Sequence, residues 1–321
     1  MQFEGVDHRD FPHSTAWAEG VEMMEADLGA RNVYVHLNVG YATKSGRQLH
    51  LQVIQPCLDS TIVSWDELTA ERFGCIAFVQ GSAWGEQPMG ALLEFWCRFA
   101  RRGYVVALIE YRPSDLAAFP AQVQDVKTAV RWLTANHARF GIDPEQMVLA
   151  GDSSGGHTAL LVHATQALDD LDDEPGVPLD LKACVDFYGP TRLDLMNDEP
   201  TTMDHRGPDS PEGRLLGGVD LRSVPELVRR ADPGHWVSAD RPLTPLLMIH
   251  GSKDRLVPFA QSVEHYRVLR AAGQPVRLIQ VRGAGHGGPA LFTTQVADAV
   301  DLFLQDALGP RPATTADGRP V

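Results

Sequence analysis

Residues 147–157 read Met-Val-Leu-Ala-Gly-Asp-Ser-Ser-Gly-Gly-His, a short apolar run followed by Gly-x-Ser-x-Gly. A serine hydroxyl is a poor nucleophile unless it is held exposed and within reach of a base. A sharp strand–turn–helix bend does both, and it crowds the backbone so that glycine is needed two residues to either side. Gly151 and Gly155 meet that demand for Ser153; centred on Ser154 the pattern fails, because residue 152 is aspartate. A bare Gly-x-Ser-x-Gly also arises as a glycine-rich turn. Its position directly after an apolar strand favours a nucleophile at Ser153.

A base and an acid must then follow in the order Ser, Asp, His. Of the 12 histidines, only His265 and His286 come late enough. His265 falls in the helix expected near Ala260–Ala271, where packing or solvent exposure is its ordinary role. His286 sits among glycines just after a strand ending at Val281, where an imidazole can reach over the sheet edge and serve as base. Asp254, in the loop after the Leu246–Ile249 strand, is placed to hold the imidazole; the competing reading is a turn-forming aspartate. Asp232 and Asp240 precede that strand and fit less well. Backbone N–H groups of Ser154 and of Ser82 and Ala83, in the loop Gln80–Trp84, are the candidate oxyanion donors. An ordinary strand-to-helix turn with an N-cap serine is the alternative for that loop. Activity is expected to fall below pH of about 6–7 as His286 takes a proton.

These residues need a scaffold of alternating strands and helices. Asn32–Tyr41 and Arg47–Gln55 read as an antiparallel hairpin turning at Lys44-Ser45-Gly46. Cys75–Val79, Tyr104–Ile109, Met147–Ala150, Ala183–Phe187, Leu246–Ile249 and Val276–Val281 are short apolar runs, as in a parallel sheet covered on both faces. A helix from Pro120 to about Phe140 carries the stripe Val123, Val126, Val130, Leu133 and is closed by Gly141. The expectation is one α/β domain over residues 1–308, with an eight-stranded, mostly parallel sheet. Residues 1–30 form a helical or irregular N-terminal flap. Residues 189–242, with seven prolines, form a lid-like, substrate-facing insertion. Residues 309–321 form a frayed tail.

The chain has 321 residues, 44% of them hydrophobic, and a formal net charge of −14. That charge repels nucleic acid and anionic membrane alike. The acidic first thirty residues hold no apolar core of a secretory signal, and no run approaches the roughly 18 apolar residues of a membrane span. The four cysteines, Cys57, Cys75, Cys97 and Cys184, show no CxxC or paired spacing. Reduced thiols in the cytoplasm are the expectation. No His or Cys cluster has metal-ligand spacing, so neither metal nor cofactor is expected. Neither nucleic acid nor membrane is expected as a partner, and a homo-oligomer is compatible with these properties.

Four blocks in order, Gln80–Trp84, Pro120–Leu133, Gly151–His157 and the pair Asp254 and His286, resemble the carboxylesterases related to hormone-sensitive lipase and to bacterial feruloyl and acetyl esterases. The resemblance runs from about Tyr34 to Leu304. It implies the α/β-hydrolase fold, with helices on both faces of the sheet. It also implies a structural role for Asp125, in the helix that starts at Phe119-Pro120, holds Trp132 and leads to Gly141-Ile-Asp-Pro144. The family's oxyanion loop usually reads His-Gly-Gly-Gly-Trp, where this chain has Gln80-Gly81-Ser82-Ala83-Trp84. Backbone donors survive the change, but two lost glycines stiffen the loop, and the Ser82 hydroxyl becomes a further donor candidate. Gly81 and Trp84 are expected to border the substrate. The implied activity is cofactor-independent hydrolysis of small soluble carboxylic esters, such as acetyl or hydroxycinnamoyl esters of sugars. An amidase-type hydrolase (arylformamidase or peptidase) would use the same triad, and a non-catalytic binder on this fold is the alternative of another class.

Overall fold

The computed structural model describes residues 11–26, 31–57 and 72–309. Its eight strands are β1 (Asn32–Lys44), β2 (Arg47–Cys57), β3 (Phe73–Val79), β4 (Tyr104–Ile109), β5 (Ile142–Asp152), β6 (Leu181–Phe187), β7 (Leu246–Gly251) and β8 (Val276–Val281). They form one sheet in the order β1-β2-β4-β3-β5-β6-β7-β8. β2 runs antiparallel to both β1 and β4, and every other pairing is parallel.

Because successive side chains point to opposite faces, a strand buried on both sides must be apolar throughout. β3 shows this. Cys75, Ala77 and Val79 enter one core, and Ile76 and Phe78 enter the other. The first core is covered by α2 (Ala121–Ala135), α3 (Ser154–Thr165) and Leu269 of α6 (Ala260–Ala271). The second is covered by α1 (Leu93–Arg101) and α7 (Thr294–Leu308), whose Phe95, Trp96, Phe99 and Phe303 pack around Phe78 and Phe187. This is the α/β-hydrolase fold.

The helix expected over residues 120–140 divides in two. α2 ends at Ala135, and a 3-10 turn, His137–Phe140, follows before Gly141 at φ 66°. Asn136 makes the break, its backbone N–H and its side-chain amide both donating to Trp132 O, at 2.9 and 2.8 Å. Inside α2, the fully buried Asp125 accepts the Arg112 guanidinium in a fork (Nη2 to Oδ1 2.8 Å, Nε to Oδ2 2.9 Å) and the Arg112 N–H at 2.8 Å. Lys44 Nζ stands 3.5 Å away. The pair ties α2 to the segment after β4.

Residues 189–242 hold α4 (Pro211–Leu215), α5 (Pro225–Arg230) and three 3-10 turns. Leu193, Leu215 and Leu221 from this segment are buried in the first core. Residues 11–26 carry neither helix nor strand and are exposed throughout. The rest of the expected flap, 1–10 and 27–30, lies outside the described residues, as does the expected tail beyond Gly309. The register of β1 slips twice, between His36 and Val39 and between Gly40 and Ala42. Asn38 sits in the first slip at φ 52°, exchanging hydrogen bonds of 3.0 Å with the Gln52 side chain.

Truncating Asp125 to alanine strands a buried guanidinium and an unpaired N–H. Asp125→Ala is expected to lower stability by about 3–5 kcal/mol, read as a fall in the urea midpoint at unchanged slope. A loss below about 1 kcal/mol would show that the pair behaves as a surface ion pair.

Candidate active site

The turn between β5 and α3 places Ser153 at φ 52° and ψ −124°, with its N–H donated to Phe187 O at 2.8 Å. This strained conformation is enforced by close backbone contact. A Cβ on Gly155 would stand 2.1 Å from Val79 O, and one on Gly151 would stand 2.3 Å from Gly155 O. No side chain fits at either position, so the two glycines let β3, β5 and α3 meet and push the serine outward.

Ser153 Oγ lies 2.9 Å from His286 Nε2, and His286 Nδ1 lies 2.7 Å from Asp254 Oδ2. His286 comes from the loop after β8 and Asp254 from the loop after β7. Burial acts to raise the Asp254 carboxyl, but hydrogen bonds from His250 and His286 and the backbone outweigh it and hold it well below the usual range. Asp254 is therefore an acceptor-only carboxylate, so His286 Nδ1 carries the proton and leaves the Nε2 lone pair facing the Ser153 hydroxyl. His265, the other late histidine, is buried in α6, where desolvation lowers it to about 3. Asp232 caps the 3-10 turn Pro233–Trp236, its side chain accepting from Gly234 N–H.

The loop after β3 approaches the serine closely. The Gly81 N–H donates to Asp152 Oδ1 at 2.7 Å, and a Cβ there would meet Asp152 O at 2.5 Å. Ser82 N–H donates to Ser154 Oγ at 2.9 Å. Among the described residues, no protein acceptor takes the N–H of Ala83 or of Ser154, the first residue of α3. The expectation that the Ser82 hydroxyl serves as a donor to the hole is corrected. It donates to Gly85 O at 2.8 Å and lies 3.1 Å from the buried Tyr111 hydroxyl. Trp84 is likewise corrected. Left-handed backbone at Ala83 (φ 53°) and Trp84 (φ 56°) turns the indole inward, edge-on to His157 of α3, and leaves it 2% exposed. Gly81 is a spacer whose N–H is already used.

Behind the turn lie polar groups that only the fold reveals. Tyr188 packs edge-on to His286 (centroids 4.8 Å apart) and donates its hydroxyl to Asp152 Oδ2 at 3.1 Å. Burial raises the Asp152 carboxyl to about 6. Asp186 accepts Gly189 N–H at 3.0 Å, but its Oδ2 has no partner among the described residues, and burial raises it to about 8. A cleft of about 710 Å³ opens beside the histidine loop, lined by Leu92, Leu93 and Phe95 on one side and Gly288, Pro289 and Phe292 on the other.

Two substitutions probe this geometry. Ala83→Gly removes a Cβ from left-handed backbone and is expected to raise stability by about 0.5–1 kcal/mol, net of glycine's greater unfolded-state entropy. A thermal midpoint at or below wild type would contradict this. Asp186 has a folded-state pKa above its unfolded value of about 3.9. Its contribution to stability is complete below about pH 4 and is lost as pH rises through 8. Asp186→Asn stays uncharged, so urea midpoints across about pH 5–9 should fall less steeply in the variant. Equal slopes would refute the assignment.

A family model described as BD-FAE matches residues 64–269. Esterase LipC of Mycobacterium tuberculosis is 33% identical over 237 residues, 71% of this chain and 57% of that protein. Isoprenylcysteine alpha-carbonyl methylesterase ICME of Arabidopsis thaliana is 28% identical over 239 residues, 73% of this chain and 52% of that protein. The chain thus spans little more than half the length of these curated relatives. Among solved structures, a truncated form of a carbohydrate esterase from gut microbiota superposes with a TM-score of 0.71 at 28% identity, covering 88% of this chain and 98% of that one. Propionate-bound esterase Est2 of Thermogutta terrifontis, 23% identical, shares the fold with a TM-score of 0.67, covering 90% of this chain and 98% of that one. Because the matched segment runs from before β3 into α6, taking in the serine turn and Asp254, the chain belongs to the BD-FAE family.

Proposed function

We propose that this protein hydrolyses carboxylic esters through an acyl-enzyme, with Ser153 as nucleophile, His286 as general base and acid, and Asp254 as the carboxylate that orients His286. The observation that carries this reading is the continuous hydrogen-bond line from Ser153 Oγ to His286 Nε2 at 2.9 Å and from His286 Nδ1 to Asp254 Oδ2 at 2.7 Å. His286 Nε2 takes the Ser153 proton as Oγ attacks the ester carbonyl carbon. The N–H groups of Ala83 and Ser154 hold the oxyanion that forms. Ser82 N–H joins them only where Ser154 Oγ gives it up. Collapse of the tetrahedral species expels the alcohol, which takes its proton from the imidazolium. Water, deprotonated by the same ring, then attacks the acyl-serine and releases the acid.

For substrate, a small soluble ester suits the site, and an acetyl or hydroxycinnamoyl ester of a sugar is the reading favoured by the likeness to a carbohydrate esterase. The cleft beside Pro289 and Phe292, which Glu94 and Arg98 also line, would suit a substrate group with an apolar body and a polar end. Residues 189–242, which begin where β6 delivers Tyr188 to the site, would form a wall of the substrate pocket. Four cysteines with no CxxC or paired spacing in the sequence fit a reducing compartment such as the cytoplasm. No helix among the described residues is long and apolar enough to cross a membrane.

The test is turnover of p-nitrophenyl acetate by wild type and Ser153→Ala, with fluorophosphonate labelling of both. Wild type should label and turn over. The variant should lose labelling and at least three orders of magnitude, or about 10³-fold, in kcat. A variant that still labels would remove Ser153 from the mechanism.

A further inference from the structure

His250 is the penultimate residue of β7, is fully buried and plays no part in the mechanism above. Its Nε2 lies 3.2 Å from Asp254 Oδ2 and 2.9 Å from Val257 O. A carboxylate and a carbonyl only accept, so Nε2 carries the proton, which it gives to Val257 O with Asp254 Oδ2 beside it. Its Nδ1 lies 2.7 Å from Ser262 Oγ, in the first turn of α6, and that hydroxyl donates to the Nδ1 lone pair. Asp254 is thus surrounded by donors. Oδ1 takes the N–H groups of Leu256 and Val257, both at 2.9 Å, Oδ2 takes His286 Nδ1 at 2.7 Å, and His250 Nε2 stands 3.2 Å from the same Oδ2.

We propose that His250, held by Ser262, is a positioning residue that locks the Asp254 carboxylate plane and shares the Oδ2 atom that orients His286. This rests on the reading of Asp254 and His286 as catalytic partners. Two imidazole donors on one oxygen divide its negative charge. Removing the His250 donor should leave Oδ2 a stronger partner for the His286 imidazolium and free the carboxylate to rotate. The first effect moves the acid limb of kcat upward in pH, and the second lowers kcat. The groups that face His286 are Asp254 from the loop after β7, Tyr188 from the loop after β6 and Asp152 at the end of β5. Around His250 the neighbours are Asp254, Ser262, Tyr188 and Phe259.

The experiment compares wild type, His250→Leu, His250→Gln and Ser262→Ala by pH profiles of kcat and KM on p-nitrophenyl acetate. It is joined to ¹⁵N NMR of the imidazoles in wild type and Ser153→Ala. The expected result for His250→Leu is a kcat lower by about 10–100-fold, a KM within about twofold and an acid limb raised by about half a pH unit. His250→Gln, whose amide nitrogen can replace Nε2 as donor, should restore kcat to within about threefold of wild type. The NMR should show His250 protonated at Nε2 in both proteins. An acid limb unmoved in folded His250→Leu, glutamine no better than leucine, or His250 protonated at Nδ1 alone would each overturn the proposal. If His250→Leu does not fold, Ser262→Ala and the NMR tautomer decide by the same criteria. Wild type that neither labels nor turns over would instead overturn the catalytic reading, and the NMR result would still report on the His250 hydrogen bonds.

Discussion

The first turn of α3 comes so near to β3 that the Val79 carbonyl oxygen occupies the space a side chain on Gly155 would need. From that contact the rest of the site takes its shape. Because α3 must start so close to the sheet, the chain reverses within one residue, and Ser153 absorbs the reversal as left-handed strain. The first N–H groups of α3 then point at the space in front of the serine, and the loop after β3 is drawn alongside it. Such strain persists only where the surroundings over-determine it. Here a parallel sheet buried on both faces supplies the rigidity.

Burial around that turn has also settled the state of groups that would titrate elsewhere. Desolvation lowers His157 and His163 to about 4, and each gives its Nε2 proton to a carbonyl, of Ala231 and Thr244 respectively. They are struts between α3 and the segment that follows β6, and they stay neutral over the range in which His286 would work. The carboxylates divide in the opposite sense. Asp254, with donors on both oxygens, is held ionised, whereas Asp186, short of donors, is driven toward its neutral form. Two aspartates in one small region thus differ in burial, in the donors that reach them and in the charges nearby: His286 beside Asp254, Asp152 beside Asp186.

Much of this was legible in the residues, and the misses have physical causes. β4 and β8 begin and end where their apolar runs do. β5 begins at Ile142, well ahead of the apolar run, because pairing with Phe73 extends it through Asp143, Pro144 and Glu145, which have poor strand propensity. Ser153, Asp254 and His286 stood out because chain order and loop position are local properties. The Ser82 hydroxyl and the Trp84 indole were misplaced because their directions follow from φ values at Ala83 and Trp84 that residue type does not announce. Tyr188, Asp186 and His250 carry little signal in the sequence because their partners, Asp152, Gly189 and Ser262, meet them only in the folded chain. For His250 a signal existed: an imidazole closing an apolar strand four residues before the candidate acid.

The two slips in β1 reach beyond the site. Among the described residues β1 is an outer strand of the sheet, and a regular strand there would present a row of N–H and C=O groups to a passing chain. The bulge at Asn38, closed by its exchange with Gln52, and the second slip before Ala42 break that row into short lengths with different twist. A strand from another molecule can stay in register along only one of these lengths. The longest edge of the described sheet is therefore a poor template for strand addition.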